Sequence, residues 1–347
     1  MFTEILKEKN IPALLSKEEM MALMQSEVYG KMPAAPDKVE FSEQKNIVNK
    51  FCAGKAMYNI VTITCRMGEK VFSFPLHVTL PTDGEKHPFF IHINFRPDNP
   101  DRYQPTEELI DNGFAVLSFC YTDVTSDDND FTNGLAGVLY ENGERTEDDA
   151  PGKIAMWAWA AHRVMDYAET LGDVLDLNCA VVCGHSRLGK TALLTAATDD
   201  RFAFSYSNDS GCSGAALAKW TEGETVDRIY DTFPFWFCKN YSKYKENEEA
   251  MLFDQHYLVA SIAPRKVLIG SASKDGWACP ASEQLCCFAA SPAFPKGFVC
   301  PNRKAEVGEM FFEGDIGYHL REGQHYFGRE DWNKLILFVK KHYPCDQ

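Results

Sequence analysis

Val181-Val182-Cys183-Gly184-His185-Ser186-Arg187-Leu188-Gly189-Lys190-Thr191 satisfies two unrelated catalytic patterns at once. As Gly-x-Ser-x with a further glycine downstream, it is a nucleophile elbow, a sharp strand-to-helix turn that lifts a serine hydroxyl above a parallel sheet. As Gly-x-x-x-x-Gly-Lys-Thr, it is a Walker A loop, whose backbone amides cradle phosphates. The two patterns demand different surroundings, and the rest of the chain discriminates between them.

A Walker A loop belongs near the first strand of its domain and needs a later strand that delivers a magnesium-binding aspartate. Four or five strand-like runs precede Gly184, and the best later strand, Val267-Leu268-Ile269-Gly270, passes through Ser271-Ala272-Ser273-Lys274 before it reaches Asp275. His185, Ser186 and Arg187 are also bulky for a loop that must approach phosphates through its backbone. A P-loop NTPase therefore stays only as the alternative from a different class, its match judged incidental. An α/β-hydrolase asks for a serine after a central strand, an acid after a later strand and a histidine near the end. Ser186, Asp275 and His325 stand in that order. A serine hydroxyl is a weak nucleophile until an imidazole accepts its proton, and an acid must hold that imidazole in the right tautomer. His77 and His92 precede the serine and lie within strand-like runs, and His162 falls on a helix. His319 is the nearest competitor to His325.

Around this core the chain reads as alternating strands and helices. Ser16 and Glu19 form a capping box before Met20, Met21, Leu23 and Met24, with Gly30 as a stop. Met57 to Cys65 and Val71 to Leu80 read as a hairpin around Met67-Gly68. Pro88 to Phe95 and Phe114 to Tyr121 read as buried strands, and Lys153 to Leu171 as a long amphipathic helix with Trp157 and Trp159 in the core. After the elbow come a helix over Arg187 to Thr198, strands near Phe202 to Tyr206 and Lys266 to Gly270, a last strand over Met310 to Phe312, and a final helix over Trp332 to Tyr343. The expected fold is α/β, a three-layer sandwich whose mostly parallel sheet is opened by an antiparallel hairpin. Residues 1–45 read as a helical extension packed on a catalytic domain of residues 46–347. The acidic loop Asp127 to Asp130 lacks the alternating oxygens and the glycine of an EF-hand and reads as a solvated loop.

Composition narrows the function. With 347 residues, 45% of them hydrophobic and 13% aromatic, the chain can bury a large core, and no apolar run approaches a membrane span of about 18 to 20 residues. A net charge of −15, from 35 basic and 50 acidic side chains, repels nucleic acid and anionic membranes. Twelve cysteines without a Cys-x-x-Cys pair read as buried thiols rather than a disulfide framework or structural zinc. No metal or cofactor is expected, and a monomer is. The charged start, MFTEILKEKN, offers no apolar stretch of signal-peptide length, so the compartment stays open between cytoplasm and, for a trimmed chain, secretion.

The segment Gly184 to Lys190 resembles the Gly-Cys-Ser-Arg-x-Gly-Lys signature of glucuronoyl esterases, carbohydrate esterase family fifteen, with His185 where many members have cysteine. Asn208 to Ala216, Phe233 to Phe237, Phe253 to His256, Ile262 to Arg265 and Asp275-Gly276-Trp277 are similar to further segments of its bacterial branch. The resemblance covers roughly Glu27 to Tyr343. It implies hydrolysis of the ester between a (4-O-methyl-)glucuronic acid of xylan and a lignin alcohol through a glucuronoyl-serine intermediate. It implies an oxyanion-stabilising role for Arg187 and sugar binding by Lys190, Glu224 and Trp277. Asp209 matches the block in which the family usually carries glutamate, whereas Asp275 matches hydrolases in general, so either acid, or both, can orient His325. Acetyl xylan esterase or general carboxylesterase activity is the alternative within hydrolases; a noncatalytic carbohydrate-binding module is a third class.

Overall fold

The apolar run ahead of Gly184 forms the middle of a ten-stranded sheet in the computed structural model, which describes residues 1–343. The strands are β1 (Lys38–Gln44), β2 (Ala56–Met67), β3 (Lys70–Pro81), β4 (His87–Asn94), β5 (Ala115–Cys120), β6 (Leu175–His185), β7 (Phe204–Asn208), β8 (Lys266–Ala272), β9 (Met310–Phe311) and β10 (Ile316–Arg321). Their order across the sheet is β1-β2-β3-β5-β4-β6-β7-β8-β10-β9. From β5 through β4, β6, β7 and β8 to β10 every pairing is parallel; β1, β2 and β3 run antiparallel on one side, and β9 does so on the other. A serine after central β6, an acid after β8 and a histidine after β10 make this an α/β-hydrolase fold.

Both faces of the parallel strands are covered, which is why these strands read as continuous apolar runs rather than alternating ones. In β6, Ala180 and Val182 enter one core with Trp157, Val164 and Leu193, from the helices Lys153–Glu169 and Arg187–Thr198. Cys179, Val181 and Cys183 point the other way, into a second core with Trp332, Leu335 and Phe338 of the helix Arg329–His342. Helix, sheet and helix thus form the three layers.

Residues 17–29 begin as expected: Ser16 accepts from the Glu19 amide, Glu19 answers to the Ser16 amide, and the helix Lys17–Met24 continues as a π-helical turn, Gln25–Tyr29, before Gly30 at φ 87°. Tyr29 is fully buried and its hydroxyl donates to Ser213 O at 2.6 Å. The expected helical extension over residues 1–45 also contains β1, which pairs with β2 in the same sheet. Its sequence, Lys-Val-Glu-Phe-Ser-Glu-Gln, is mostly exposed at the sheet edge and so carries little apolar alternation.

Two sequence expectations are corrected. Met310 to Phe312 is not the last strand: β9 has two residues, and β10 follows it. β10 was hidden because His319 and Arg321, polar in sequence, are both buried in it. Nor is the Asp127 to Asp130 loop wholly solvated, because Asp127 turns inward to an arginine, as described below. The sequence also left the helix Pro280–Ala290 unassigned.

The elbow explains its own glycines. A Cβ on Gly184 would lie 2.2 Å from Leu188 O, and one on Gly189 would lie 2.9 Å from Ser207 Oγ, so strand and helix approach through hydrogen atoms alone. The Gly184→Ala variant is expected to lower the unfolding free energy by about 1–3 kcal/mol through overpacking. Urea denaturation should show this as a lower midpoint at an unchanged slope.

Candidate active site

Ser186 sits at the tip of the elbow with φ 57° and ψ −126°, a strained backbone for a residue with a Cβ. Its amide is tied to Asn208 O, at the end of neighbouring β7, at 2.8 Å. The strand ends of β6, β7, β8 and β10 therefore open on one side of the sheet, and the loops that follow them wall a cavity of about 370 Å³. Ser186, Arg187, Lys190, Asp209, Glu224, Asp275, Trp277 and His325, all eight residues singled out from sequence, line it.

His325 Nδ1 lies 2.5 Å from Asp275 Oδ2. The carboxylate can only accept, so Nδ1 carries the proton and Nε2 is the free base. Asp275 is 5% exposed, and its other oxygen accepts from the Ala278 amide at 3.2 Å. Asp209 behaves differently. Its Oδ2 accepts from Arg321 at 3.2 Å, and its Oδ1 is buried without a partner. Burial, and then the negative charge of Glu283, push its carboxyl well above the usual carboxylate range, against the pull of Arg321. Asp209, Asp275 and His325 bring one ligand atom each within 4.8 Å of one another. The short Asp275–His325 bond already occupies one side of that cluster. His319, the competing histidine, is fully buried in β10 with its Nε2 3.0 Å from the Tyr206 hydroxyl, and does not line the cavity.

Arg321 braces the histidine loop from below. Its Nε donates to both oxygens of buried Asp331 at 2.8 Å, Nη1 to Gln324 O at 3.1 Å, and Nη2 to Tyr326 O as well as to Asp209. One guanidinium thus joins β10, the loop on either side of His325, the β7 loop and the C-terminal helix.

Arg187, the residue after the serine, is held by Asp127, whose carboxylate also accepts from the Trp236 indole at 2.7 Å and the Tyr121 hydroxyl at 2.8 Å. Its guanidinium lies 4.7 Å from the centre of the Trp236 ring, which itself stacks on Phe233 at 3.9 Å. The loop that carries Asp127 is organised by Lys153, whose buried ammonium donates to Ser126 O at 2.7 Å and Asp130 O at 2.6 Å, with the hydroxyls of Thr125 and Ser126 at 3.2 and 3.1 Å sharing its third proton. Asp127, Lys153 and Arg321 escaped sequence reasoning because each acts on a partner far away in the chain. The Phe233 to Phe237 segment was the one signal that pointed at Trp236.

Lys190 donates to Ser210 O at 2.5 Å and keeps two further protons for other acceptors. Burial lowers its pKa, and Glu224 opposes that shift. Burial raises Glu224 above the ordinary glutamate value, against the opposing pull of Lys190 and a hydrogen bond from Trp277. Trp277 itself is 53% exposed at the rim. Glu222, the adjacent acid, is exposed and outside the cavity.

A sequence model described as "Glucuronyl esterase, fungi" matches residues 63–296. The carbohydrate esterase MZ0003, from an unknown prokaryotic organism, is 32% identical over 94% of this chain and 84% of its own length. The chain belongs to the glucuronoyl esterase family. The 4-O-methyl-glucuronoyl methylesterase of Thermothelomyces thermophilus is 26% identical over 82% of the chain and 68% of its own. Among solved structures, a promiscuous CE15 esterase from a marine bacterial metagenome superposes with a TM-score of 0.82 at 32% identity, covering 94% of this chain and 91% of that one. The glucuronoyl esterase from Solibacter usitatus gives 0.85 at 29% identity, covering 94% and 92%. Carboxylic ester hydrolysis is the chemistry of the family, and the serine, imidazole and carboxylate at the cavity are groups able to carry it.

Arg321 in this glucuronoyl esterase family member yields a stability test. Replacing it with Met leaves Asp209 and Asp331 as buried acids without their shared cation, and the expected loss is about 3–5 kcal/mol. Chemical denaturation of Arg321→Met beside the wild type measures it; a loss under about 1 kcal/mol would contradict the bracing described here.

Proposed function

We propose that the chain is a serine esterase that cleaves the ester between (4-O-methyl-)glucuronic acid of xylan and an alcohol of lignin. The observation that carries the reading is the convergence of Ser186, His325, Asp275 and Arg187 with Lys190, Glu224 and Trp277 on one open cavity. The Ser186 hydroxyl attacks the uronate carbonyl carbon while His325 Nε2 takes its proton, with Asp275 stabilising the resulting imidazolium. Arg187 faces the oxygen on which negative charge develops. His325 then returns the proton to the leaving alcohol, and water releases the glucuronoyl group from the serine by the same steps.

Lys190 supplies donors and Glu224 an acceptor for the sugar hydroxyls, and the exposed indole of Trp277 offers the ring an apolar face at the rim. This pairing of a cation and an acid beside the serine favours a sugar acid over a simple acyl group. The marine relative is described as promiscuous, which supports a second reading, an esterase that also accepts acetyl or other small acyl esters. Benzyl glucuronate and an aryl acetate distinguish the two: kcat/KM is expected to favour the glucuronate, and a large preference for the acetate defeats the reading.

Ser186→Ala is expected to abolish turnover of benzyl glucuronate. The acids are expected to be unequal, because Asp275 bonds His325 whereas Asp209 bonds Arg321. Asp275→Ala should lower kcat by up to about ten-thousandfold, the scale seen when a triad imidazole loses its acid. Asp209→Ala should cost less alone and more in the Asp275→Ala background, where it is the remaining carboxylate near His325. An Asp209 effect as large as that of Asp275 contradicts the ranking.

Glu224 gives a pH test. Its pKa is raised, so on acidification it gains its proton above the ordinary value of 4.5, losing its charge against Lys190 and its full acceptor capacity. KM for benzyl glucuronate is therefore expected to climb on acidification at a higher pH than the titration of an ordinary glutamate would give. Glu224→Gln should show a high KM without that limb.

A further inference from the structure

His185 occupies the last position of β6, immediately before Ser186, and is 4% exposed. Its ring centroid lies 4.4 Å from that of His325, with 44° between the planes. On its other sides are the rings of Phe95 at 6.1 Å, Tyr103 at 6.2 Å and Phe327 at 6.4 Å. Two imidazoles thus lie together beside the nucleophile, and the triad uses only one of them.

The hydrogen bonds assign His185 its protonation. Its Nδ1 lies 2.7 Å from Asn208 Oδ1. Asn208 is oriented by its Nδ2, which donates to Asp331 Oδ1 at 3.2 Å and to the Tyr206 hydroxyl at 3.3 Å; since Asp331 accepts, the amide oxygen is the atom that faces His185. An amide oxygen accepts, so His185 Nδ1 carries a hydrogen. Burial opposes a second proton on the ring, and the positive charges near it, His325 when protonated and Arg321, oppose it further. His185 is therefore neutral, its tautomer set by Asn208.

His325 needs such a neighbour. Its side chain is 45% exposed, and Asp275 holds it through Nδ1 alone. One hydrogen bond at one ring atom leaves the ring free to tilt, and a tilt moves Nε2 away from the serine hydroxyl. A fixed ring packed beside it, 4.4 Å away between centroids, restricts that freedom. His325 also has to become an imidazolium as Ser186 attacks, and a second imidazolium with its centroid 4.4 Å away would oppose that charge.

We propose that His185 is a positioning residue for His325, an imidazole held by Asn208 that packs against the His325 ring and fixes its angle toward Ser186. The inference rests on the serine esterase reading above and adds to it a residue that does not touch substrate.

The test uses the full chain with benzyl glucuronate and compares His185→Ala and His185→Phe with the wild type, with Ser186→Ala in parallel and thermal melting of every variant. The Ala variant is expected to lose about ten- to a hundredfold in kcat, the scale of a catalytic group displaced by a fraction of its length, with KM within about threefold of the wild type. The Phe variant restores an uncharged ring without the Asn208 bond and should recover most of the lost kcat. An Ala variant with unchanged kcat, a loss confined to KM, or a folded Phe variant as slow as the Ala variant would overturn the proposal. Should the Ala variant not fold, His185→Leu against His185→Phe makes the same comparison, since both fill the space and only one presents an aromatic face. An active Ser186→Ala variant would instead defeat the serine mechanism itself.

Discussion

The close approach of β6 to the helix that follows it is the constraint on which the site depends. With a Cβ on Gly184 the turn would meet Leu188 O, and with one on Gly189 the helix would meet Ser207 of β7. At this approach Ser186 takes a positive φ and its amide bonds Asn208 O. From there the parallel order does the rest: β7, β8 and β10 end on the same side, so their loops bring Asp209, Asp275 and His325 to one place from positions far apart in the chain.

The acids show how two similar carboxyls acquire different surroundings. Asp275 follows β8, accepts from a backbone amide and bonds the imidazole. Asp209 follows β7 and is drawn to Arg321, which is shared with Asp331 and the histidine loop. Arg321 thereby couples the stability of the C-terminal helix to the placement of His325. Asp275 thus bonds His325 directly, whereas Asp209 is held by the Arg321 network below it.

Much of this was legible in the sequence because it is local. The capping box at Ser16, the glycines of the elbow and the apolar runs of β4, β5 and β6 are consequences of short-range geometry. The hydrolase order of serine, acid and histidine named the residues that now meet in the cavity. What stayed hidden depends on pairing across the chain. β10 was masked by His319 and Arg321, polar residues satisfied within the interior. Asp127 looked like its solvated neighbours, since nothing in Asp-Asp-Asn-Asp distinguishes the carboxylate that turns toward Arg187. His185 looked like a variable position in a motif until its ring was found against His325.

Arg187 carries a consequence of a different kind. An unrestrained arginine side chain has about 2 kcal/mol of rotamer entropy. Here the guanidinium is stacked on Trp236 and paired with Asp127, on a loop pinned by Lys153, before any ester arrives. That disorder is surrendered once, when the chain folds, and not again at each turnover. Folding stability is thereby converted into readiness: in the role proposed above, the cation beside the serine is already in place when negative charge forms.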